Sequence, residues 1–335
     1  MGGLNPAYDF VKKCLKSGKS VVTSNKELVA AHGAELLQIA KDENVNFLFE
    51  ASVGGGIPII RPISQCLVAN IVDEIAGILN GTTNFILTKM IEDGMQFDAA
   101  LKLAQDLGFA ERNPAADIEG HYACRKICIL ASLAFGKHVY PNFVHTEGIT
   151  EITLEDVKYA EAYNCVIKLI GRVKRLDDGK IDIIVAPMFV PNKSQLANID
   201  YEFNGIMVRG DCTGDVVFYG KGAGKLPTAS AVVADVVDCC KHLKTRKFLF
   251  WADGNGDNIL PYEESVTAMY IRANTTFELA QEVFGCIDKI EKADSPDGEI
   301  AFVTAQLPYG EIIEKIAALE SRGAKVISKI RIGDL

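Results

Sequence analysis

The chain has 335 residues, of which 48% are hydrophobic and 24% are charged, as is usual for a soluble globular protein with a sizeable core. Its net charge of −9 argues against nucleic acid as a partner, because nucleic acid requires a basic surface. The longest apolar run, residues 127–135, is far shorter than the ~20 residues that cross a membrane. The first ten residues lack the basic and apolar regions of a signal peptide, so we do not expect them to act as one. Nine cysteines without a C-x-x-C pair indicate reduced thiols, so a cytoplasmic location is expected.

The N-terminal two thirds of the chain is predicted to alternate strands and helices. The first elements are a strand at 19–26, a helix at 26–45, a strand at 46–54, a strand that ends in a turn at Asn80–Gly81, and a helix that stops at Gly108. Strand, helix and strand with short connections are typical of a parallel α/β unit. Further alternation follows over residues 127–200, and residues 210–243 predict a strand, a glycine-rich turn and a long helix.

The composition and the predicted order of elements change after residue 245. Residues 246–264 are rich in Gly, Asn and Asp and are interpreted as a linker. Residues 265–335 then predict strand, helix, two strands, helix and strand, and this βαββαβ order is that of a ferredoxin-like module.

Two stretches match ligand-binding motifs only in part. Residues 17–20 end like a phosphate-binding loop, but the glycine that the motif requires is replaced by Lys13. Acidic residues in 253–264 have the spacing of a calcium loop, but Asn258 stands at the sixth position, where such loops have glycine. The scattered histidines are interpreted as structural.

Four other stretches indicate a ligand site, although each is a weak signal alone. Residues 117–126, "DIEGHYACRK", gather polar groups just before an apolar helix. Three glycines at 54–56 follow a buried strand and allow close backbone approach, although a tight turn explains them equally well. Residues 80–84 offer hydroxyls at a strand end, and the glycines of 220–224 precede a helix start that would suit a phosphate.

These stretches and two others, taken in their order along the chain, resemble homoserine dehydrogenase. The resemblance covers about residues 2–245 and rests on "VVTSNKELVAAHG", "FEASVGGGIPIIRPI", "IAGILNGTTNFIL", "LAQDLGFAE", "DIEG…ACRK" and "FYGKGAGKLPTASAVVADVVD". It implies an NAD(P)H-dependent enzyme, commonly a homodimer, that reduces L-aspartate 4-semialdehyde to L-homoserine for threonine and methionine synthesis. The C-terminal module is similar to the ACT regulatory domain of many members.

The resemblance also implies a role for individual residues. The catalytic residues are Lys126 and Lys26, and the substrate-binding residues are Glu111, Asp117, Gly81 and Thr82. Cofactor contacts correspond to Thr23, Asn25, Lys26, Gly222, Ala223, Gly224 and Thr228. The main-chain carbonyls of Glu50, Val53, Gly55 and Ile57 correspond to a structural sodium site.

The resemblance implies a fold of three parts. These are a remnant of a Rossmann-type NAD(P)-binding domain, an α+β catalytic and dimerisation domain with a mixed sheet, and the ACT-like domain. Their expected bounds are 1–55 with 209–245, 56–208 and, after the linker at 246–264, 265–335.

The sequence departs from the family pattern in several places. It contains no G-x-G-x-x-G turn, so we expect a truncated cofactor domain that binds NAD(P)H feebly. Tyr122 stands where the family has Asp, which predicts slower chemistry, and Phe109 stands where Tyr is common. The first loop of the ACT-like module, at 273–280, lacks the usual glycine, which puts a response to threonine in doubt.

Two alternatives remain at this point. The chain could be a non-enzymatic fragment that oligomerises or senses an amino acid. A related dehydrogenase of semialdehydes would need a nucleophilic cysteine beside a histidine, and no cysteine in the sequence has that setting.

Overall fold

The computed structural model describes residues 3–243 and 245–335; residues 1, 2 and 244, which belong to the predicted cofactor region, lie outside the described residues. The first half contains α1 (Ala7–Lys16), β1 (Val21–Val22), α2 (Lys26–Asp42), β2 (Phe47–Leu48), β3 (Val72–Ile78), α3 (Gly81–Glu92), α4 (Phe97–Asp106), α5 (Ala115–Ile118), α6 (His121–Phe135), β4 (His145–Thr146) and α7 (Leu154–Ala162). The second half contains β5 (Cys165–Arg175), β6 (Ile181–Pro191), β7 (Phe203–Gly210), β8 (Gly214–Lys221), α8 (Lys225–Lys241), β9 (Val266–Thr267), β10 (Met269–Asn274), α9 (Phe277–Phe284), β11 (Ile287–Ile290), β12 (Glu299–Thr304), β13 (Leu307–Pro308), α10 (Tyr309–Ser321) and β14 (Lys325–Ile332).

The N-terminal region is a small parallel α/β unit, as predicted. Strands β1 and β2 pair in parallel, with Val21 opposite Phe47, and α2 connects them. Helix α1 was not predicted. It packs on α2 and buries Val11 and Leu15, because its apolar residues recur at the spacing of one helix face.

A large mixed sheet forms the centre of the molecule. Its strand order is β11-β12-β10-β14-β6-β5-β3-β7-β8, and β4 pairs in addition with β6. The pairs β14–β6 and β4–β6 are parallel and the others are antiparallel. Helix α6 packs on the central strands β3 and β5, and α3 packs on β5 and β7.

The predicted turn at Asn80–Gly81 is instead the N-terminus of a helix. Strand β3 ends at Ile78, and α3 begins at Gly81. The side chain of Asn80 caps the helix, because its Oδ1 accepts a hydrogen bond of 2.8 Å from the amide of Thr83. This capping directs the first turn of α3 toward the same end of the sheet as the start of α6.

Strand β8 lies in the range that was predicted to be part of the cofactor region. Residues from 209 onward were assigned to the cofactor region, but β8 pairs along its whole length with β7, from Gly210 opposite Gly214 to Phe203 opposite Lys221. The short connection between the two strands keeps the chain in the large sheet. The segment that leads away from the sheet therefore begins after Lys221.

The predicted linker, 246–264, packs closely against the rest of the chain. Trp251 is buried, and its Nε1 donates a hydrogen bond of 2.8 Å to Nδ1 of His138. Tyr140 donates a hydrogen bond to Asp253, and Lys137 pairs with Asp257. The hydrogen bond to Trp251 gives His138 a structural role, as predicted. Tyr140 and Lys137 bind two of the acids that had the spacing of a calcium loop.

Apart from the two-residue strands β9 and β13, which pair with each other, the C-terminal elements follow the predicted order, namely β10, α9, β11, β12, α10 and β14. Strand β14 pairs in parallel with β6, through Arg331 opposite Met188, so the strands of this module extend the large sheet. Within residues 3–243 and 245–335, no helix is long and apolar enough to cross a membrane.

Candidate active site

A cleft of about 510 Å³ lies where the starts of α3 and α6 meet the segment that leads into α8. Predicted site residues in its lining are Lys26, Gly81, Thr82, Glu111, Asp117, Lys126, Gly222, Ala223 and Gly224. These residues come from five separate stretches of the sequence. The structure therefore brings most of the predicted site together.

Lys126 lies at the closed side of the cleft. It is in the second turn of α6, only 8% exposed, and its Nζ donates a hydrogen bond of 2.8 Å to the carbonyl of Leu79 at the end of β3. Burial, together with the positive charge of Lys26, lowers the pKa of Lys126 to about 7, while the charge of Asp117 opposes this shift. An amine with this pKa can both release and accept a proton near neutral pH.

Asp117 forms the acidic part of the lining together with Glu111. Asp117 is 9% exposed, and its Oδ1 accepts a hydrogen bond of 2.6 Å from Nδ2 of Asn80. Burial raises the pKa of Asp117, and the hydrogen bond from Asn80 opposes that rise. Because Asn80 also caps α3, one side chain fixes both the acid and the helix start. Glu111 is more exposed and follows α4.

Lys26 reaches the cleft from the first residue of α2. Its Nζ lies 4.1 Å from the centroid of the Tyr122 ring, and Tyr122 also lines the cleft. Burial lowers the pKa of Lys26, and the guanidinium of Arg125 lowers it further. Tyr122 thus forms part of the wall and lies beside one of the predicted catalytic lysines.

The first turn of α3 offers backbone groups to the cleft. Gly81 and Thr82 occupy its first two positions, where amides have no partner within the helix. A Cβ at Gly81 would lie 2.5 Å from the carbonyl of Glu202, so only glycine fits there. The hydroxyl of Thr82 donates a hydrogen bond of 2.7 Å to the carbonyl of Phe109, which holds the two walls together.

The rim of the cleft is the glycine-rich approach to α8. A Cβ at Gly222 would lie 2.0 Å from the side chain of Asn204, so the chain passes very close to β7 at this point. Gly224 precedes α8, and no side chain of the described residues caps the helix. The amides of its first turn are consequently available to an anionic group, such as a phosphate of a dinucleotide.

Three predicted cofactor residues do not line the cleft. Asn25 caps α2 by accepting a hydrogen bond of 3.1 Å from the amide of Leu28, and its Nδ2 donates to the carbonyl of Gly3. The hydroxyl of Thr23 accepts a hydrogen bond from the amide of Asn25. Thr228 lies in the first turn of α8. The first two shape the loop that presents Lys26.

The predicted sodium ligands lie in the turn after β2. The carboxylate of Glu50 is buried and accepts hydrogen bonds of 2.6 to 3.0 Å from the amides of 59–61. Among the hydrogen bonds of the described residues, the carbonyls of Val53, Gly55 and Ile57 accept none. Three unengaged carbonyls in one turn are a suitable donor set for a hard cation, which prefers oxygen ligands.

Sequence reasoning missed several residues of the lining. Glu202 precedes β7 and Lys221 ends β8, and their charged groups approach within 3.8 Å at the rim. Glu202 lies outside every motif of the sequence, and Lys221, although it lies in the glycine-rich stretch 220–224, was not identified as a lining residue, since only the pairing of β7 with β8 brings the two together. Asn80 belonged to a flagged stretch, but its contact with Asp117 joins positions 37 apart.

Comparison with known proteins identifies the family. Residues 58–237 match the family model described as homoserine dehydrogenase, and residues 1–50 match that of the homoserine dehydrogenase NAD-binding domain. The chain belongs to the homoserine dehydrogenase family. The homoserine dehydrogenase of Neisseria gonorrhoeae is 39% identical over 355 residues, which cover 100% of this chain and 81% of that relative.

Solved structures of homoserine dehydrogenases support the same assignment. The crystal structure of the enzyme from Thiobacillus denitrificans has a TM-score of 0.90 at 37% identity and covers 100% of this chain and 81% of that one. A hyperthermophilic archaeal homoserine dehydrogenase in complex with NADPH has a TM-score of 0.60 at 30% identity, with coverage of 70% and 68%.

The predicted homoserine dehydrogenase and its NAD(P) cofactor are therefore confirmed, as is an α/β fold with an NAD-binding region and a mixed sheet. The matches give no support to the alternative of a non-enzymatic fragment or to the predicted impairment.

Proposed function

We propose that this cleft interconverts L-aspartate 4-semialdehyde and L-homoserine, with Lys26 and Lys126 at the reacting oxygen and Glu111 and Asp117 at the substrate ammonium group. The observation that carries the proposal is the meeting of two lysines and two acids in one cleft. A substrate with an ammonium group at one end and an aldehyde at the other requires opposite charges at opposite ends of its site.

The acidic end binds and orients the substrate. Asp117 is held by Asn80 in one orientation, so its carboxylate can accept hydrogen bonds from an ammonium group without rearranging. Glu111 contributes a second charge from the more open side. The free amides of Gly81 and Thr82 are suited to the substrate's own carboxylate, because a helix N-terminus attracts anions.

The two lysines at the other end of the cleft transfer the proton and stabilise the developing negative charge. NAD(P)H, when bound, supplies the hydride to the aldehyde carbon, and this leaves negative charge on the oxygen. Lys126 can donate a proton to that oxygen in reduction and accept it in oxidation, since its pKa of about 7 suits both directions. Lys26 provides a second positive charge that stabilises the same oxygen.

The cofactor is proposed to enter along the rim. Gly222, Ala223 and Gly224 lead into the uncapped N-terminus of α8, which offers amides to its phosphates. Thr23 and Asn25 shape the loop beside this path, and Thr228 lies in the first turn of α8. Lys26 lies between the proposed cofactor path and the substrate. A sodium ion held by the carbonyls of Glu50, Val53, Gly55 and Ile57 would brace the adjoining turn, where the amide of residue 56 donates a hydrogen bond of 3.0 Å to the carbonyl of Lys221.

The remaining parts are assigned on the same basis. We propose that 265–335 form an ACT-like module on a ferredoxin-like plan, which is supported by its element order and by the strand order β11-β12-β10-β14. We retain 1–55 with the segment after β8 as the cofactor region and the part between as the catalytic and dimerising domain. We propose a cytoplasmic location, which nine free cysteines support, and a homodimer, which the family resemblance implies.

The proposal is tested by following reduction of NADP⁺ or NAD⁺ with L-homoserine as the donor. Lys126→Met should lower kcat by ~10²–10⁴-fold, the usual effect of losing a positioned acid–base group. Lys102→Met is the matched control, because Lys102 is exposed on α4 and absent from the cleft lining. Equal rates for wild type and Lys126→Met would refute the assignment.

A further inference from the structure

Tyr122 contacts two cations through its aromatic ring. The Nζ of Lys26 lies 4.1 Å from the ring centroid, and the guanidinium carbon of Arg125 lies 5.5 Å from it. We propose that Tyr122 is a positioning residue, whose ring holds the ammonium of Lys26 at the reacting end of the cleft. This proposal rests on the function proposed above, because it explains how one of the two lysines is kept in place.

The ring itself has a fixed position. Tyr122 is the second residue of α6, and Arg125 follows three residues later, so the two side chains share one helix face. Arg125 is anchored in turn, because its Nη2 donates a hydrogen bond of 3.2 Å to Oε1 of Glu27. Glu27 adjoins Lys26 in α2. The ring, the guanidinium and the carboxylate therefore join the starts of α2 and α6.

Lys26 has no other strong partner in the described part of the chain. Its Nζ takes part in none of the hydrogen bonds and ion pairs of residues 3–243 and 245–335, whereas Nζ of Lys126 is tied to the carbonyl of Leu79. An ammonium on a long side chain without a partner would sample many rotamers. The electron-rich face of an aromatic ring attracts a cation and limits this freedom.

The ring, and not the phenol group, carries this role. Among the hydrogen bonds of the described residues, the hydroxyl of Tyr122 has no partner within the chain. Burial raises the pKa of Tyr122, and the charge of Asp117 raises it further, so the hydroxyl remains neutral at neutral pH. Phenylalanine keeps the ring and loses only the hydroxyl, whereas leucine removes the ring and retains a similar apolar bulk.

The test records the Hε resonances of lysine in protein labelled with ¹³C-lysine, with Lys26 assigned through Lys26→Arg. A cation above a ring experiences an upfield ring-current shift. We expect this shift in wild type and in Tyr122→Phe and its loss in Tyr122→Leu. Lys41 is the internal control, because its Nζ lies 4.6 Å from the Phe250 ring, so its unchanged shift reports an intact fold.

The second readout is kinetic and separates this proposal from the proposed function. Tyr122→Leu should lower kcat/KM for L-homoserine by ~2- to 30-fold, the factor that corresponds to a cation–π contact, and Tyr122→Phe should recover most of it. A Lys26 shift that survives in Tyr122→Leu, or disappears in Tyr122→Phe, would overturn the positioning role. Failure of wild type to bind L-homoserine would instead reject the proposed function, while the Lys26 shift could still be read.

Discussion

At the scale of single residues, the burial of Lys126, the proposed catalytic group, opposes stability. The side chain is buried and has one carbonyl partner, and its pKa falls from 10.5 to about 7. Below that pKa, Lys126 is protonated in both the folded and the unfolded chain, so folding bears the whole penalty of burying the charge. Between about 7 and 10.5 the unfolded chain binds more protons, and stability therefore rises with pH in this range.

We therefore predict that Lys126→Met stabilises the fold while it removes activity. Since one pKa unit corresponds to about 1.4 kcal/mol, the gain should be on the order of a few kcal/mol below the folded-state pKa. It should shrink as the pH rises, because the wild-type amine then becomes neutral. Urea unfolding of wild type and Lys126→Met, below and above the folded-state pKa of Lys126, measures this difference in stability.

The exposed control for this prediction is Lys102→Met, which should change the free energy of unfolding by less than about 0.5 kcal/mol at either pH. A variant Lys126→Met that is less stable than wild type below the folded-state pKa would show that the hydrogen bond to Leu79 outweighs the burial of charge.

At the scale of secondary-structure elements, the turn before α6 sets the distance between Asp117 and Lys126. Gly148 packs against this turn, and a Cβ there would lie 2.3 Å from the carbonyl of Ile118 and 2.7 Å from Cα of Glu119. Both contacts are with backbone, so the turn would have to move. Asp117 directly precedes it, and α6 begins directly after it.

Gly148→Ala should accordingly raise KM for L-homoserine and destabilise the fold by about 1–3 kcal/mol, as overpacking commonly does. Gly136→Ala is the matched control at the other end of α6. Gly136 has a φ of 75°, but a Cβ there meets nothing within 4 Å, so we expect about 1–2 kcal/mol of backbone strain and no change in KM. Equal KM values for the two variants would contradict the prediction.

Features that depend on a local sequence pattern could be predicted, whereas features that depend on the pairing of distant strands could not. Asp117 and Lys126 were predictable as a pair because one short stretch of chain carries both. The parallel unit of β1 and β2 and the βαββαβ order were predictable because each element has a local hydrophobic pattern. Glu202 was not predictable, because it enters the cleft only through the pairing of β7 with β8. The same pairing determines that Lys221 approaches Glu202, although the stretch that contains Lys221 was recognised.

The same limit applies to β8 and to residues 246–264. No local pattern could show that residues 214–221 remain in the large sheet, since this depends on their pairing with β7. Polar and glycine-rich composition correctly marked 246–264 as irregular. It could not show that Trp251 is buried against His138, because that contact joins positions 113 apart.

At the scale of the whole molecule, a buried ion pair joins the C-terminal module to the centre. Nε of Arg272, on β10, donates a hydrogen bond of 3.1 Å to Asp156 of α7, which is 0% exposed. Tyr270 donates to the same carboxylate oxygen, also at 3.1 Å. Since β14 and β6 also pair across this boundary, the two parts share one sheet and one set of buried charges.

We predict that Arg272→Met lowers the free energy of unfolding by about 3–5 kcal/mol, because it leaves a buried carboxylate without its cation. The whole chain should still unfold in one transition. Arg322→Met, which breaks an exposed pair with Glu282, should lower it by no more than about 1 kcal/mol. Calorimetry that resolves two transitions, only one of which shifts in Arg272→Met, would show that the module folds independently.

The central claim is that the cleft holds homoserine between its acids and its lysines, and calorimetric titration tests this most directly. L-homoserine should bind ~10- to 150-fold more tightly than the analogue without its amino group, the factor expected for a hydrogen bond to a charged group. Asp117→Asn should lose most of this discrimination, whereas Asp93→Asn, an exposed change outside the cleft lining, should retain it. Equal affinities of wild type for the two ligands, or undiminished discrimination in Asp117→Asn, would contradict the account.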